Sequence, residues 1–524
     1  MQLNIRVVRH TVLTSVCLLG ALSGLANNIQ VSSGVLTAIT PTQMSVQFNV
    51  SWENSWRAEP DRWDAAWVFV KYRTYGGVWK HASLDNTGHL APSGSTITTG
   101  LLTPGTAYNA TTNPGVGAFI YRSTTGSGTF TANGARLRWN YSADNISAVD
   151  VQEVRVFAIE MVYVPQGAFW LGTGGAEQLH FKNGSTEDPY LISSEAAIPT
   201  GNPFVGALGE LTAGAYSAVG TLAAAFPKGF AAFYCMKYEL TQQAYVDFLN
   251  TLTYAQQVTR TTTAPNSAAG NGALIQTNGG RNGIDIQAPG VASTTPAVYA
   301  CNLDGDASYG EAVDGTDIAC NYINWGDLTG YLDWSGLRPM SELEFEKACR
   351  GTLLPVALEF PWGNTAIASS PYTVTNSGAV NEGIASGYST SQGNALYINT
   401  TGGVSPMRVG IFAAHPSNSD RMTAGATFYG ILEMGGNMGE RAVSITAEGR
   451  VYTGIHGNGG LGTNGDPDVA NWLSPTTGLG SGIRGGTSST IPGSLQVSDR
   501  IAAGNPLTTD RSSTHGGRGV RSMP

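Results

Sequence analysis

Three stretches of this chain carry the spacing and the caps of an α-helix, and all three fall between residues 241 and 351. Thr241 precedes a segment in which Ala244, Phe248 and Leu252 recur on one face, which predicts a helix to about Leu252. A second helix is expected from Asn324 to Trp334, with Trp325, Leu328, Tyr331 and Leu332 turned inward. The third, Glu342 to Arg350, opens on a capping box of Ser341 and Glu344 and stops at Gly351. The rest of the chain must be strand, turn or loop, so the expected class is α+β with sheet dominant. At 524 residues the chain is also too long for one compact core, and more than one domain is expected.

Residues 1–26 read as a secretory signal peptide. Arg6 and Arg9 form a positive start, Thr11 to Leu22 is largely apolar, and Gly24 and Ala26 are small residues suited to cleavage after Ala26. The apolar run is too short to span a bilayer, and no later run approaches about 18 continuous apolar residues. Cys17 follows Val16 rather than a small residue, which argues against a lipid anchor. The expected location is therefore secreted or cell-surface, with no membrane span.

From 27 to 158 the pattern is short strands with frequent turns. Met44 to Trp52 alternates, Trp67 to Tyr72 is a continuous apolar run, and Leu137, Trp139 and Tyr141 alternate again before Val151 to Ile159. Gly76-Gly77, Pro104-Gly105 and Gly126-Ser127-Gly128 supply the turns. An all-β sandwich of the immunoglobulin or fibronectin kind is the expectation. The tryptophans Trp52 and Trp63, each beside acidic residues, read as core before they read as a binding face.

The chain holds 28 basic and 37 acidic residues; removing Arg6 and Arg9 leaves 26 − 37 = −11. That sign excludes nucleic acid and anionic membrane as expected partners, since both need basic surface. Cys235, Cys301, Cys320 and Cys349 remain beyond residue 26, and a Cys301–Cys320 disulfide closing the polar loop between them is the expected pair. Cys235 and Cys349 either pair or stay as buried thiols.

From residue 159 onward, ordered segments carry a resemblance. They are Met161-Val-Tyr-Val-Pro-Gln-Gly-Ala-Phe-Trp-Leu-Gly172, Tyr238-Glu-Leu-Thr-Gln-Gln-Ala-Tyr-Val-Asp-Phe-Leu-Asn250, Leu337-Arg-Pro-Met-Ser-Glu-Leu-Glu-Phe-Glu-Lys-Ala-Cys-Arg-Gly351, Pro361-Trp-Gly363 and Gly430-Ile-Leu-Glu-Met-Gly-Gly-Asn-Met-Gly-Glu440. Arg484-Gly-Gly486, Asp499-Arg500 and Gly519-Val-Arg521 close the series. Together they resemble the formylglycine-generating enzyme and sulfatase-modifying-factor family. The resemblance implies a C-type lectin-like domain over 159–524, with Gly/Asn/Thr-rich loops at 173–228 and 253–295.

Family enzymes oxidise a target cysteine with a copper-binding cysteine pair near the C-terminus, where soft thiolates hold Cu(I). The corresponding interval here, Thr487 to Gly519, contains no cysteine. The related sulfoxide synthases bind iron through a His-x3-His-x-Glu segment, and no pair among the seven histidines has such spacing, although His456 and His515 fall near the family's cleft. Neither copper nor iron is expected, and no catalytic residue is assigned.

Calcium has two candidate sites. The resemblance implies one at Asn437 and Glu440, where family members supply oxygens to a structural Ca2+; both tryptophans of the family segment are replaced here, by Gly439 and Arg441. The residues themselves suggest another at Asp304, Asp306, Ser308, Glu311, Asp314 and Asp317, a run of oxygen donors without an intervening base. Tyr309 stands where an EF-hand loop needs glycine, so this is not that motif. The expected function is a non-catalytic scaffold that binds an extracellular glycan or protein, or that self-associates. The alternatives are an oxidase or other metalloenzyme with a relocated site and a structural subunit of an extracellular fibre or sheath.

Overall fold

The computed structural model describes residues 28–201, 204–210, 219–275, 279–504 and 510–524. The expected signal peptide lies outside the described residues. The chain is mostly sheet with a few short helices. Nine strands come first: β1 (Gln30–Val31), β2 (Val35–Thr40), β3 (Gln43–Ala58), β4 (Arg62–Thr74), β5 (Lys80–His81), β6 (Ser95–Leu101), β7 (Gly115–Arg122), β8 (Gly126–Trp139) and β9 (Val151–Val164). They join a larger sheet whose path runs β1-β3-β4-β9 and on through the strands Phe233–Met236, Gly519–Ser522 and Arg338–Pro339.

Alternation along β4 explains how that sheet is buried. Ala66, Val68, Val70 and Tyr72 pack with β3 and β8 around Trp52 and Trp139. Trp63, Ala65, Trp67 and Phe69 point the other way, into a core shared with Met161, Tyr234, Phe248 and Trp334. A strand covered on both faces reads as a continuous apolar run rather than an alternating one, as Trp67–Tyr72 does. The tryptophans are core: Trp52 and Trp67 are fully buried and Trp63 nearly so. The domain division expected between 158 and 159 falls inside β9, which pairs with β4 from Val151 to Val162 without leaving the sheet.

Among the described residues four α-helices follow, α1 (Gln242–Leu249), α2 (Tyr254–Arg260), α3 (Trp325–Trp334) and α4 (Glu342–Arg350). Thr241 caps α1 by accepting from Ala244 N, and the helix ends at Asn250, short of the expected Leu252. Its buried side includes Tyr245, Val246, Phe248 and Leu249, so the apolar face is offset from the one read through Ala244. The helix α2 was not expected: seven residues do not span two turns of apolar repeat, and only the Thr253–Gln256 capping box marks it. The Asn324–Asp327 box opens α3, and the Ser341–Glu344 box opens α4, which ends at Gly351 with φ +68°. The stretch 173–228, read as a loop, contains a small four-stranded sheet of Phe181–Asn183, Leu208–Glu210, Ile198–Thr200 and Gly220–Leu222.

Candidate functional site

Every residue of α4 is buried, including Glu342, Glu344, Glu346, Lys347 and Arg350. Buried carboxylates need partners, and the segments behind the family resemblance supply them. Arg338 forks onto Glu344 (2.9 and 2.6 Å). Arg484 bridges Glu342 and Glu346 (3.1 and 3.0 Å). Arg500 forks onto Glu342 (2.8 and 2.9 Å) and reaches Glu210 (2.9 Å). Arg350 pairs with Glu346 and Glu359. These motif residues form a buried ion-pair lattice that fastens four distant segments to one helix.

A second buried group surrounds Asn437. Its Nδ2 donates to Glu239 Oε2 (2.6 Å), its Oδ1 accepts from Met407 N (3.0 Å), and Met438 N donates to Glu239 Oε1 (2.8 Å). Arg518 Nε donates to Glu440 Oε1 (2.6 Å), while Glu440 Oε2 and Glu433 Oε2 are buried without a hydrogen-bond donor. Burial raises the Glu239 carboxyl well above its usual range, and Glu440 and Glu433 beside it push the same way. Asn437 and Glu440, the calcium candidates implied by the resemblance, both lie in this buried group. The amide oxygen is already engaged, and the Arg518 guanidinium supplies at Glu440 the positive charge that an ion would bring.

The four cysteines beyond residue 26 are free, buried thiols. The expected Cys301–Cys320 bridge is not formed. Both side chains lie in the core shared by α1 and α3, and Cys320 Sγ faces Asn321 O at 3.7 Å. The loop between them is tied instead by Leu303 N to Asp314 O (3.1 Å) and Gly315 N to Gly378 O (2.9 Å). Burial pushes the Cys235 thiol up to about 12 and raises Cys301, Cys320 and Cys349 as well. His456 accepts from Ser522 N (2.9 Å) beside Arg521 and Arg338, whereas His515 has Arg441 and Asp510 for neighbours. Burial lowers both imidazoles, His515 to about 4.

The acidic loop brings part of its expected set together. Asp304, Asp306 and Glu311 are exposed and hold carboxylate oxygens within 4.8 Å of one another. Ser308 N donates to Asp306 Oδ1 (2.7 Å). Asp314 is buried behind them: Oδ2 accepts from Gly310 N and Glu311 N (2.7 and 2.8 Å), and Oδ1 is buried with no donor. Asp317 turns away from this cluster and lines a cavity instead.

That cavity, about 1240 Å³, was not expected from the sequence, because its walls come from segments far apart in the chain. One wall is Asn28–Leu36 and the other is α1 with Thr316 and Asp317; β9 runs between them. Phe69, Phe157, Tyr331 and Trp334 contribute aromatic surface, with Phe157 and Phe69 stacked at 5.4 Å and Trp334 edge-on to Phe157 at 4.9 Å. Burial raises the carboxyls of Asp247 and Asp317 to about 6, opposed by Arg155 and Arg408 respectively. Asp247 Oδ1 also accepts from Gln243 Nε2 (2.9 Å). An aromatic concavity with a few convergent polar groups is the usual form of a binding site.

Among the described residues no helix is long and apolar enough to cross a membrane. No curated protein matches the chain. Among solved structures it is similar to Treponema denticola variable protein 1, at 12% identity and TM-score 0.30 over 70% of this chain and 96% of that one. The family model of the sulfatase-modifying factor enzyme 1-like domain matches residues 147–497, more than half of the chain. The protein therefore belongs to the sulfatase-modifying factor enzyme 1-like domain family.

Proposed function

We propose that the protein is a secreted, non-catalytic binding member of its family, a β-sandwich joined to a C-type lectin-like domain, with the cavity beside β9 as its ligand site. The observation that carries this reading is the state of the cysteines. None lies between Thr487 and Gly519, where the family's copper pair would fall, and the four that remain beyond residue 26 are buried and held as thiols. A thiol with raised pKa and no solvent access is neither a nucleophile nor a ready ligand for a soft metal. The N-terminal strands support the sandwich reading, since β3 and β8 face β4 and β7 across one apolar core. The leader Arg6 to Ala26 supports secretion.

Thiol titration tests this. An aromatic disulfide reagent added to the native chain from Asn27 is expected to label none of Cys235, Cys301, Cys320 and Cys349, and to label all four in denaturant. Rapid stoichiometric labelling of any one in the native protein would return the oxidase reading to the front.

Calcium at the loop of Asp304, Asp306 and Glu311 belongs to the same reading. Three mutually repelling carboxylates, with the uncompensated Asp314 oxygen behind them, favour a hard cation bound through oxygen. Tyr309 lies inside the same loop and is the sensitiser for a lanthanide bound there. Terbium is expected to saturate at one ion per chain with tyrosine-sensitised emission, calcium to displace it, and the double variant D306N/E311Q to lose the signal. Absence of sensitised emission in the parent chain would remove calcium from this account.

A further inference from the structure

Three ionisable side chains meet inside the large sheet. Asp64 continues the alternation of β4 that sends Ala66, Val68 and Val70 toward Trp52, and it is fully buried. Glu160 stands on β9 opposite Ala66. Lys237 follows the strand Phe233–Met236, and its backbone N donates to Glu160 O (2.9 Å). Glu160 and Lys237 are 4% and 3% exposed. Lys237 Nζ donates to Glu160 Oε2 (2.9 Å) and lies 3.6 Å from Asp64 Oδ2, under the rings of Trp56 and Tyr238 at 4.9 and 5.3 Å.

A buried ion pair sets one acid against one base, but here one amine faces two carboxyls. Burial raises the Asp64 carboxyl, opposed by Lys237 and by three hydrogen-bond donors. Burial also raises Glu160 to about 7, with Lys237 opposing and Asp64 adding to the effect. Burial lowers the Lys237 amine, but Glu160 and Asp64 outweigh it and hold it above its ordinary value. One ammonium balances one carboxylate, so the neutral site keeps a proton on the other carboxyl. An amine, a carboxylic acid and a base in contact are the reactants of an amide condensation.

The donors around Asp64 are placed for that reaction. Its Oδ1 accepts from Ser55 Oγ (2.8 Å) and Trp56 N (3.1 Å), and Ser55 Oγ in turn accepts from Arg122 Nε (3.0 Å). Such donors stabilise the charge that develops on Oδ1 when a nucleophile adds to Cγ. Oδ2, on the lysine side, accepts from Trp52 Nε1 (2.9 Å). Glu160 Oε1 is buried with no hydrogen-bond donor among the described residues.

We propose that Lys237 and Asp64 condense to an isopeptide bond inside the folded chain, with Glu160 as the catalytic base and acid. One proton passes from Nζ to Glu160 along their hydrogen bond, which leaves a neutral amine. The Nζ lone pair adds to Cγ of the protonated Asp64, and the C=O electron pair moves onto Oδ1. Glu160 gives its proton to the Oδ2 hydroxyl, the C–Oδ2 bond breaks, and water leaves as the C=O reforms. The surplus proton on Nζ returns to Glu160, which ends as a neutral acid. No atom changes oxidation state. Holding both partners in one site makes the condensation intramolecular, worth an effective molarity on the order of 10⁵ M or more. The bond would tie β4 to the segment that leads into α1.

Mass spectrometry of the whole chain from Asn27 tests this. After prolonged standing in the native state, then reduction and denaturation, the chain is expected to read its sequence mass less one water. Trypsin should release a branched peptide in which Trp63–Lys71 is joined to Gly229–Arg260, uncut after Lys237. The variant E160Q keeps the shape of the site but cannot take the proton. It is expected to read the full sequence mass and to migrate more slowly than the parent in denaturing gels, since its chain is not closed between 64 and 237. A parent at full mass that releases linear Trp63–Lys71 and Gly229–Lys237 would overturn the bond, and so would a water lost elsewhere with those two peptides linear. An E160Q chain cross-linked as completely as the parent would overturn the role of Glu160.

Discussion

Replacing Arg500 by alanine is expected to cost about 3–5 kcal/mol of folding stability, the range for breaking a buried ion pair by removing one partner. Arg500 is fully buried, forks onto Glu342, reaches Glu210 and lies 3.8 Å above the Phe181 ring. Its fourth contact, to Leu179 O at 3.0 Å, ties the small sheet of the 173–228 region to α4. Alanine leaves buried Glu342 with Arg484 (3.1 Å) as its one cationic partner and Ile445 N (2.9 Å) as its other donor. Lysine keeps the charge but not the two-pronged geometry, so R500K should fall between parent and alanine. The double variant E342Q/R500M separates charge from packing: if the loss comes from uncompensated charge, the double loses less than the sum of its singles. Urea denaturation of the parent, R500A, R500K, the double variant and its two singles reads all of this, and an R500A stability within about 1 kcal/mol of the parent would show that the lattice carries little of the fold's stability.

The same lattice marks where the sequence was legible and where it was not. Local rules found what is local: the caps at Thr241, Asn324 and Ser341 and the stop at Gly351 act within one turn of the chain, and the structure places each of them at a helix end. The motif segments identified the family through residues such as Arg338, Arg484 and Arg500, yet nothing in their spacing says that all three converge on α4, through contacts that span 6 to 158 residues. Long-range pairing of that kind has no periodic trace. The setting of Asn437 and Glu440 was hidden for a related reason. Oxygen donors in sequence do not show that Arg518, 78 residues on, already serves Glu440. The cavity was invisible because its lining comes from segments as far apart in the chain as Asn28–Leu36, Val151–Ile159 and Thr241–Asp247. The acidic loop was the opposite case: its donors lie within one tight segment, so proximity in sequence gave proximity in space for Asp304, Asp306 and Glu311.

Glu433→Gln is expected to make the protein more stable at pH 8 and to leave it nearly unchanged at pH 5. Glu433 Oε1 accepts from Gly410 N (2.9 Å) and Oε2 is buried with no donor. Burial raises the carboxyl to about 7, Glu440 adds to the effect, and Arg518 and Arg408 oppose it. The sign follows from proton counts. Below about pH 4.5 the carboxyl is protonated in both folded and unfolded chains and contributes no pH dependence. Between about 4.5 and 7 the unfolded chain releases the proton that the folded chain keeps, so stability falls as pH rises, by about 1.4 kcal/mol per pH unit. Above 7 both states are ionised and the loss, about 3 kcal/mol, is complete. Glutamine keeps the acceptor toward Gly410 and never ionises, so it stays at the low-pH level throughout. Subtracting the variant's denaturation free energy from the parent's at each pH cancels the titration of buried histidines such as His456 and His515, which oppose this trend, and isolates Glu433. A difference independent of pH would mean that Glu433 is ionised in the fold. Repeating the curve with calcium and with a chelator adds a second decision, because an ion at Asn437 and Glu440 would hold the neighbouring carboxyl ionised and erase the window, whereas the Arg518 arrangement leaves the two curves superimposed.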